Sequence, residues 1–149
     1  MKISLVCSSG GHFFQLYSLK EFWSQYERSW VTFPGKDTQF LLHTEKVYWA
    51  YYPTNRNIKN FILNFFLALK HLRQEKPQVV ISTGAGVSVP FIYMAKLSGI
   101  KTVYVESLTR INQLSLSAFL VYPVVDHLIV QWPELARKYK KAKFMGQVI

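Results

Sequence analysis

Cysteine is almost absent: Cys7 stands alone in 149 residues, so no internal disulfide can form and the chain fits a reducing cytoplasm. Its place at the end of an apolar run reads as a small core residue rather than a nucleophile. Long apolar runs are missing too. No stretch reaches the roughly 18 uninterrupted apolar residues of a membrane-spanning helix. The best candidate, Ile111 to Val125, is interrupted by Asn112, Gln113, Ser115, Ser117 and Pro123. The apolar run after Met1 and Lys2 is too short for a signal-peptide core. These gaps predict a soluble or peripheral protein. Repeats, low-complexity tracts and linkers are lacking, and 149 residues suit one domain with a sizeable core.

Half of the residues are apolar and 16% are aromatic, which excludes a disordered chain. Acidic residues are scarce, and the net charge of +10 asks for an anionic partner: lipid, a phosphate-bearing ligand or nucleic acid. Arg56, Lys59, Lys70, Arg73 and Lys76 surround one apolar helical segment; Arg137, Lys138, Lys140, Lys141 and Lys143 form a second cluster. Nucleic acid finds no support beyond charge, since the chain has no helix-turn-helix, RNP or zinc signature. No metal site and no cofactor are expected.

Apolar runs alternate with helical patterns. Strands are predicted at Lys2–Cys7, Ser29–Phe33, Lys46–Ala50, Gln78–Ser82, Lys101–Val105 and Asp126–Val130. Helices are predicted at Gly11–Trp23, Asn57–Glu75 and Val87–Ser98, with a loop and helix in Thr109–Tyr122. This alternation implies an α/β fold: a single Rossmann-like domain, residues 1–149, with a parallel sheet of about six strands and helices on both faces. In such folds ligands lie at the carboxyl ends of the strands.

The first strand-end loop is Ser8-Ser9-Gly10-Gly11-His12. Two glycines there let backbone N–H groups approach an anion at a helix N-terminus, or simply make a tight turn. The loop is not a G-x-G-x-x-G fingerprint, and no acidic residue closes the second strand as a ribose would need. His12, in the first helical turn, is placed to exchange a proton with a ligand. The loop Thr83-Gly84-Ala85-Gly86, with Ser88 just beyond, has the same build, and the pair points to a phosphate or sugar site. Glu106 follows the fifth strand near Arg110, either as a salt bridge or as a substrate contact. In the helix Asn57–Glu75, the stripe Ile58, Phe61, Ile62, Phe65, Leu69 and Leu72 is enough to face the core. Leu63, Phe66 and Leu67 fall outside it beside Lys59 and Lys70, so this side either contacts an anionic membrane or is covered by the fold.

The motifs SSGGH, PTNRN at Pro53–Asn57, TGAGVSVP at Thr83–Pro90, and Tyr104–Arg110 followed by DHLIVQWPEL at Asp126–Leu135 occur in order along essentially the whole chain. Together they resemble the membrane-associated subunit of the two-part UDP-GlcNAc transferase that extends dolichol-linked oligosaccharide. They resemble above all its bacterial counterparts of capsule and exopolysaccharide synthesis. The resemblance implies the N-terminal, acceptor-side half of a GT-B glycosyltransferase, presenting a lipid-diphosphate-linked saccharide, while a separate subunit holds the UDP-sugar. The Gly-Gly-His loop also resembles the diphosphate-contacting loop of the transferase that makes the last lipid-linked peptidoglycan precursor. Carried over, Ser9, Gly10, Gly11 and His12 would face the acceptor diphosphate or the catalytic cleft, with Glu106 beside it. His12 would be a base or a diphosphate ligand. The N-terminal anchor of the eukaryotic members has no counterpart here, which implies attachment through the surface or a partner, peripherally on the inner face of the plasma membrane. Leu114–Leu120 departs from the Thr-Gly-Lys-like sequence of the family. The competing expectation is a stand-alone nucleotide- or phosphate-binding Rossmann protein.

Overall fold

Alternation within β1 (Lys2–Cys7) divides the core in two, because successive side chains of a strand point to opposite faces. Ile3, Leu5 and Cys7 join Phe13, Leu16, Trp23 and Trp30 on one side of the sheet. Val6 joins Val31, Val80, Phe91, Tyr104 and Leu128 on the other. The computed structural model describes residues 1–148, and there seven strands form one parallel sheet. After β1 they are β2 (Glu27–Thr32), β3 (Val47–Trp49), β4 (Val79–Gly84), β5 (Lys101–Val105), β6 (His127–Val130) and β7 (Ala142–Phe144). Their spatial order is β3-β2-β1-β4-β5-β6-β7, so the winding reverses between β1 and β4. A crevice opens there above the strand ends.

The helices are α1 (Gly11–Tyr17), α2 (Lys20–Trp23), α3 (Lys36–Leu41), α4 (Ile58–Glu75), α5 (Ser88–Leu97), α6 (Leu116–Val121) and α7 (Pro133–Lys138). The single helix expected over Gly11–Trp23 is broken in two. The Leu16 carbonyl accepts from the Trp23 indole Nε1 at 3.0 Å and from the Leu19 amide at 3.2 Å, which turns the chain at Ser18–Leu19. α4 begins where the Asn57 side chain accepts the Asn60 amide at 3.0 Å, and it ends at left-handed Lys76 before Pro77. Ser115 caps α6 in the same way through the Ala118 amide, at 3.2 Å. Three elements were not expected from sequence: α3, α7 and the edge strand β7, which makes the sheet seven-stranded rather than six.

α4 is turned differently from its apolar stripe. Its buried residues are Asn64, Ala68, His71, Leu72 and Glu75, while Ile58, Ile62 and Phe66 lie on the exposed side. Each buried polar side chain has a partner from elsewhere in the fold, His71 through Nε2 alone, its Nδ1 having none. Asn64 closes two hydrogen bonds with the Tyr51 backbone, its Oδ1 accepting at 2.9 Å and its Nδ2 donating at 3.0 Å. The Ser4 and Ser29 hydroxyls lie 2.6 and 3.3 Å from His71 Nε2. The Glu75 carboxylate meets Lys2 at 3.0 Å and Lys46 at 2.5 Å, and accepts from the Tyr48 hydroxyl. Buried polar atoms with partners stabilise this packing about as well as apolar ones would.

Candidate functional site

At the switch point the loops enclose an open cleft of about 650 Å³. Ser8 comes from the β1–α1 connection, His12 from the first turn of α1, and Tyr52, Pro53, Thr54, Asn55 and Arg56 from the segment before α4. Ala85 and Gly86 come from the β4–α5 loop, and Ser107, Thr109, Arg110 and Ser115 from the β5–α6 loop. Phe33, Phe61, Val89, Leu116 and Leu120 supply apolar walls. No Asp or Glu is among the lining residues. Among the described residues neither Arg56 nor Arg110 has a carboxylate partner within ion-pair distance. The cleft is therefore cationic and rich in hydroxyls, a setting for phosphate and sugar oxygens.

His12 is oriented by its neighbours. Its Nδ1 lies 2.8 Å from the Thr83 carbonyl oxygen, which can only accept, so Nδ1 carries the hydrogen. In the neutral ring Nε2 is then the unprotonated nitrogen. The Thr83 hydroxyl donates in return to the His12 carbonyl at 2.6 Å, so the first turn of α1 and the end of β4 are clamped from both sides. Gly84, at φ 121°, is required here: a Cβ would stand 3.0 Å from His12 Cε1 and 2.8 Å from Tyr104 Oη. Gly86 packs likewise on Thr54, where a Cβ would lie 3.0 Å from Oγ1. These two glycines bring protein groups together; the space beside them is already filled.

The expected site residues thus separate into those that face the cleft and those behind it. Ser8, His12, Ala85, Gly86 and Arg110 line it. Thr83, Ser88 and Glu106 are fully buried. Ser88 Oγ donates to the Ala85 carbonyl at 2.5 Å. Glu106 does not pair with Arg110; its two carboxylate oxygens accept the Ser107 and Ser115 amides, each at 2.8 Å, and so fix the β5–α6 loop. Its backbone carbonyl accepts the Gln15 side chain at 2.8 Å, which ties α1 to the end of β5. In the first loop, a Cβ on Gly10 or Gly11 would meet nothing within 4 Å. The Gly10 amide, however, already donates to Asp37 Oδ2 at 3.1 Å. Asp37 lies in the first turn of α3, five positions past the end of β2, so as expected no acidic residue closes that strand. Ser9 and Gly11 do not line the cleft. Buried Cys7 has its thiol pushed up to about 12 by burial, which suits a core residue. Burial likewise holds the Tyr104 hydroxyl above its ordinary range, with Glu106 adding to it.

Sequence reasoning missed Thr54, Asn55 and Arg56 as cleft residues, although the PTNRN motif that holds them was visible. On α4, Phe66 is 68% exposed and Lys59 and Lys70 are exposed beside it, but Leu67 packs on the core and Leu63 is half-buried. Ile58 and Ile62 take their places on the outer face, with Arg73. Among the described residues, no helix is long and apolar enough to cross a membrane.

The family described as Oligosaccharide biosynthesis protein Alg14 like matches residues 44–148. The chain belongs to the Alg14 family. Relatives in it include the UDP-N-acetylglucosamine transferase subunit ALG14 of Debaryomyces hansenii, 28% identical over 177 residues, which span 99% of this chain and 76% of the relative. The subunit of the same name from Schizosaccharomyces pombe is 47% identical over 78 residues, 48% of this chain and 37% of the relative. The human one is 35% identical over 92 residues, 58% of this chain and 43% of its own length. Among solved structures, Acinetobacter baumannii MurG superposes with a TM-score of 0.73 at 18% identity, over 90% of this chain and 43% of MurG. The UDP-GlcNAc 2-epimerase of Methanocaldococcus jannaschii, in complex with UDP-GlcNAc and UDP, gives 0.77 at 14% identity, over 99% of this chain and 47% of the epimerase. At these identities the likeness is one of fold: this Alg14-family domain resembles the N-terminal half of a GT-B protein. It spans less than half the length of either structure.

Proposed function

We propose that the chain is the acceptor-side subunit of a two-component UDP-sugar glycosyltransferase, which binds a lipid-diphosphate-linked saccharide while a separate GT-B subunit holds the donor. The observation that carries this reading is the cleft itself: two unpaired guanidiniums, one oriented imidazole and no carboxylate, at the switch point of an Alg14-family domain. Arg56 and Arg110 bind the diphosphate, and the hydroxyls of Ser8 and Ser107 assist. The acceptor hydroxyl oxygen attacks the anomeric carbon of the donor, the bond from that carbon to UDP breaks, and the hydroxyl proton passes to His12 Nε2. Holding the two reactants in register is the main work of the complex. The names of the relatives favour UDP-N-acetylglucosamine as donor. The finer setting, capsular or exopolysaccharide synthesis on the inner face of a plasma membrane, rests on motif likeness alone; the named relatives speak only to UDP-N-acetylglucosamine transfer.

The test is reconstitution. The purified chain should show little transfer from UDP-N-acetylglucosamine to a lipid-diphosphate acceptor, and should gain it when the donor-binding subunit is added. Full turnover by the chain alone would refute the division of labour. Tight binding of UDP to the isolated chain by calorimetry would instead favour a stand-alone nucleotide-binding protein.

Attachment to the membrane is assigned to the outer face of α4, where Ile58, Ile62 and Phe66 are exposed between Lys59, Lys70 and Arg73. The chain should sediment with vesicles rich in phosphatidylserine, and salt should weaken this without abolishing it. The double change Lys59→Glu and Lys70→Glu should lower binding at least about tenfold, as each cation near an anionic surface contributes about 1 kcal/mol. Equal binding to neutral and anionic vesicles would remove the electrostatic part.

A further inference from the structure

We propose that Asn60 and Asn64 of α4 are positioning residues: they hold the segment 51–57 in the form that presents Arg56 to the cleft. This rests on the reading of Arg56 as a ligand of the acceptor diphosphate. Among the described residues Arg56 has no carboxylate partner within ion-pair distance, so its reach is set by the backbone it stands on. That backbone is unusual. Among the described residues three other than glycine have left-handed φ angles. Lys76 ends α4, whereas Arg56 at 52° and Ala85 at 68° both line the cleft. The left-handed region is unfavourable for any side chain with a Cβ, and such a residue persists where its surroundings hold it.

Two asparagines one helical turn apart on α4 do the holding. Asn64 is fully buried; its Oδ1 accepts the Tyr51 amide at 2.9 Å, and its Nδ2 donates to the Tyr51 carbonyl at 3.0 Å. Asn60 Nδ2 donates to the Pro53 carbonyl at 2.9 Å, on the chain before Arg56. The Asn60 amide donates to Asn57 Oδ1 at 3.0 Å, on the chain just after it. One residue thus grips the backbone on both sides of Arg56. From the opposite direction Gly86 packs on Thr54, where a Cβ would stand 3.0 Å from Oγ1, so the segment is backed by the β4–α5 loop as well. Helix capping accounts for the bond from the Asn60 amide to Asn57. It does not account for Asn60 Nδ2 or for Asn64, which reach backbone outside the helix. Apolar packing does not call for an amide at position 64; the Tyr51 backbone does, since its N–H and C=O need partners on leaving water.

The experiment is calorimetric titration of the full chain with inorganic pyrophosphate, using variants whose folding is checked by urea unfolding. Arg56→Ala should weaken binding about tenfold or more, because a hydrogen bond to a charged group is lost. Asn60→Ala, at a partly exposed position, should weaken it about fivefold, the effect of one ordinary hydrogen bond. In the Arg56→Ala background the same change should add nothing, since Asn60 acts through Arg56. Asn64→Leu should show the same coupling with a larger loss; should it fail to fold, Asn60→Ala carries the test alone. The left-handed backbone is checked separately: Arg56→Gly should unfold at higher urea than Arg56→Ala. Native affinity in Asn60→Ala, or an equal loss with and without Arg56, would overturn the positioning role and leave the diphosphate cleft standing. A glycine variant no more stable than the alanine one would also overturn it. Native affinity in Arg56→Ala would instead remove Arg56 as a diphosphate ligand, and the positioning role with it.

Discussion

Replacing His12 by alanine should lower the turnover number of the assembled transferase by about 10²–10⁴-fold, with the Michaelis constant for acceptor nearly unchanged. A positioned base acts only in the transition state, so its loss appears in turnover. Three features support the proposal that His12 is that base. Its Nδ1 is held at 2.8 Å by the Thr83 carbonyl, which leaves Nε2 free to receive a proton. It lines the cleft, and no carboxylate does. Of the carboxylates near the first loop, Asp37 accepts the Gly10 amide, and Glu106 is fully buried and spends both oxygens on the amides of Ser107 and Ser115. Folding should survive the change, because the hydrogen bond lost contributes only about 1 kcal/mol and the Thr83 hydroxyl keeps its bond to the backbone of residue 12. Gly84→Ala is the companion variant: its methyl group would press on the His12 ring and should reproduce part of the loss with the imidazole still present. If instead the acceptor Michaelis constant rises more than turnover falls, His12 holds diphosphate. Native kinetics from folded, partner-bound His12→Ala protein would take it out of the mechanism.

The second large effect is on stability in acid. Burial pulls His71 down from 6.5 to about 4, with Lys46 and Lys2 adding to this against the opposing pull of Glu75. Between these values the unfolded chain takes up a proton that the native protein refuses. Stability therefore falls as pH falls from 6.5 to 4, by roughly 3 kcal/mol at the lower end. Glu75 continues the trend. Burial pushes its carboxyl up, but Lys46, Tyr48 and Lys2 together outweigh it and bring it from 4.5 to about 2. Asp126 is raised by burial and lowered more by Lys96 and by the amide and hydroxyl of Thr102, from 3.8 to about 2. Both carboxylates stabilise the fold above their unfolded values and lose that contribution as pH drops toward 2. Urea midpoints measured from pH 7 downward should fall first through the histidine window and then through the carboxylate window. His71→Gln should flatten the first and spare the second. A midpoint in the native protein that is level between pH 6.5 and 4 would contradict the assignment.

The same residues show where the sequence was legible. β1 and β5 were readable to the residue, because a buried central strand is a short run of apolar side chains between turn residues. α3, α7 and β7 were not, being six, six and three residues long and carrying Lys36, Asp37, Arg137, Lys138 and Lys143. Their support comes from neighbours in the sheet rather than from their own pattern. The stripe on α4 misled for a different reason. A hydrophobic pattern counts Asn64, His71 and Glu75 as outward, yet each is buried by partners 13 to 73 positions away in sequence: Tyr51, Ser4 and Lys2 among them. In the cleft, the Gly-Gly-His signal found His12, since a helix start after a buried strand fixes where a side chain emerges. It could not show that Thr83 and Glu106 turn inward, because their partners are defined only once β4 and β5 lie side by side.

Asp37 has a consequence for how the two halves of such an enzyme share a cell with free nucleotides. The Gly10 amide is the berth that this type of sheet would offer to a mononucleotide, and a carboxylate is moored in it at 3.1 Å. A second anion arriving there meets repulsion rather than an open donor. In the two-part enzyme proposed above, UDP released in each cycle should therefore find no open donor at the Gly10 amide, and product inhibition by UDP should be mainly competitive against UDP-sugar.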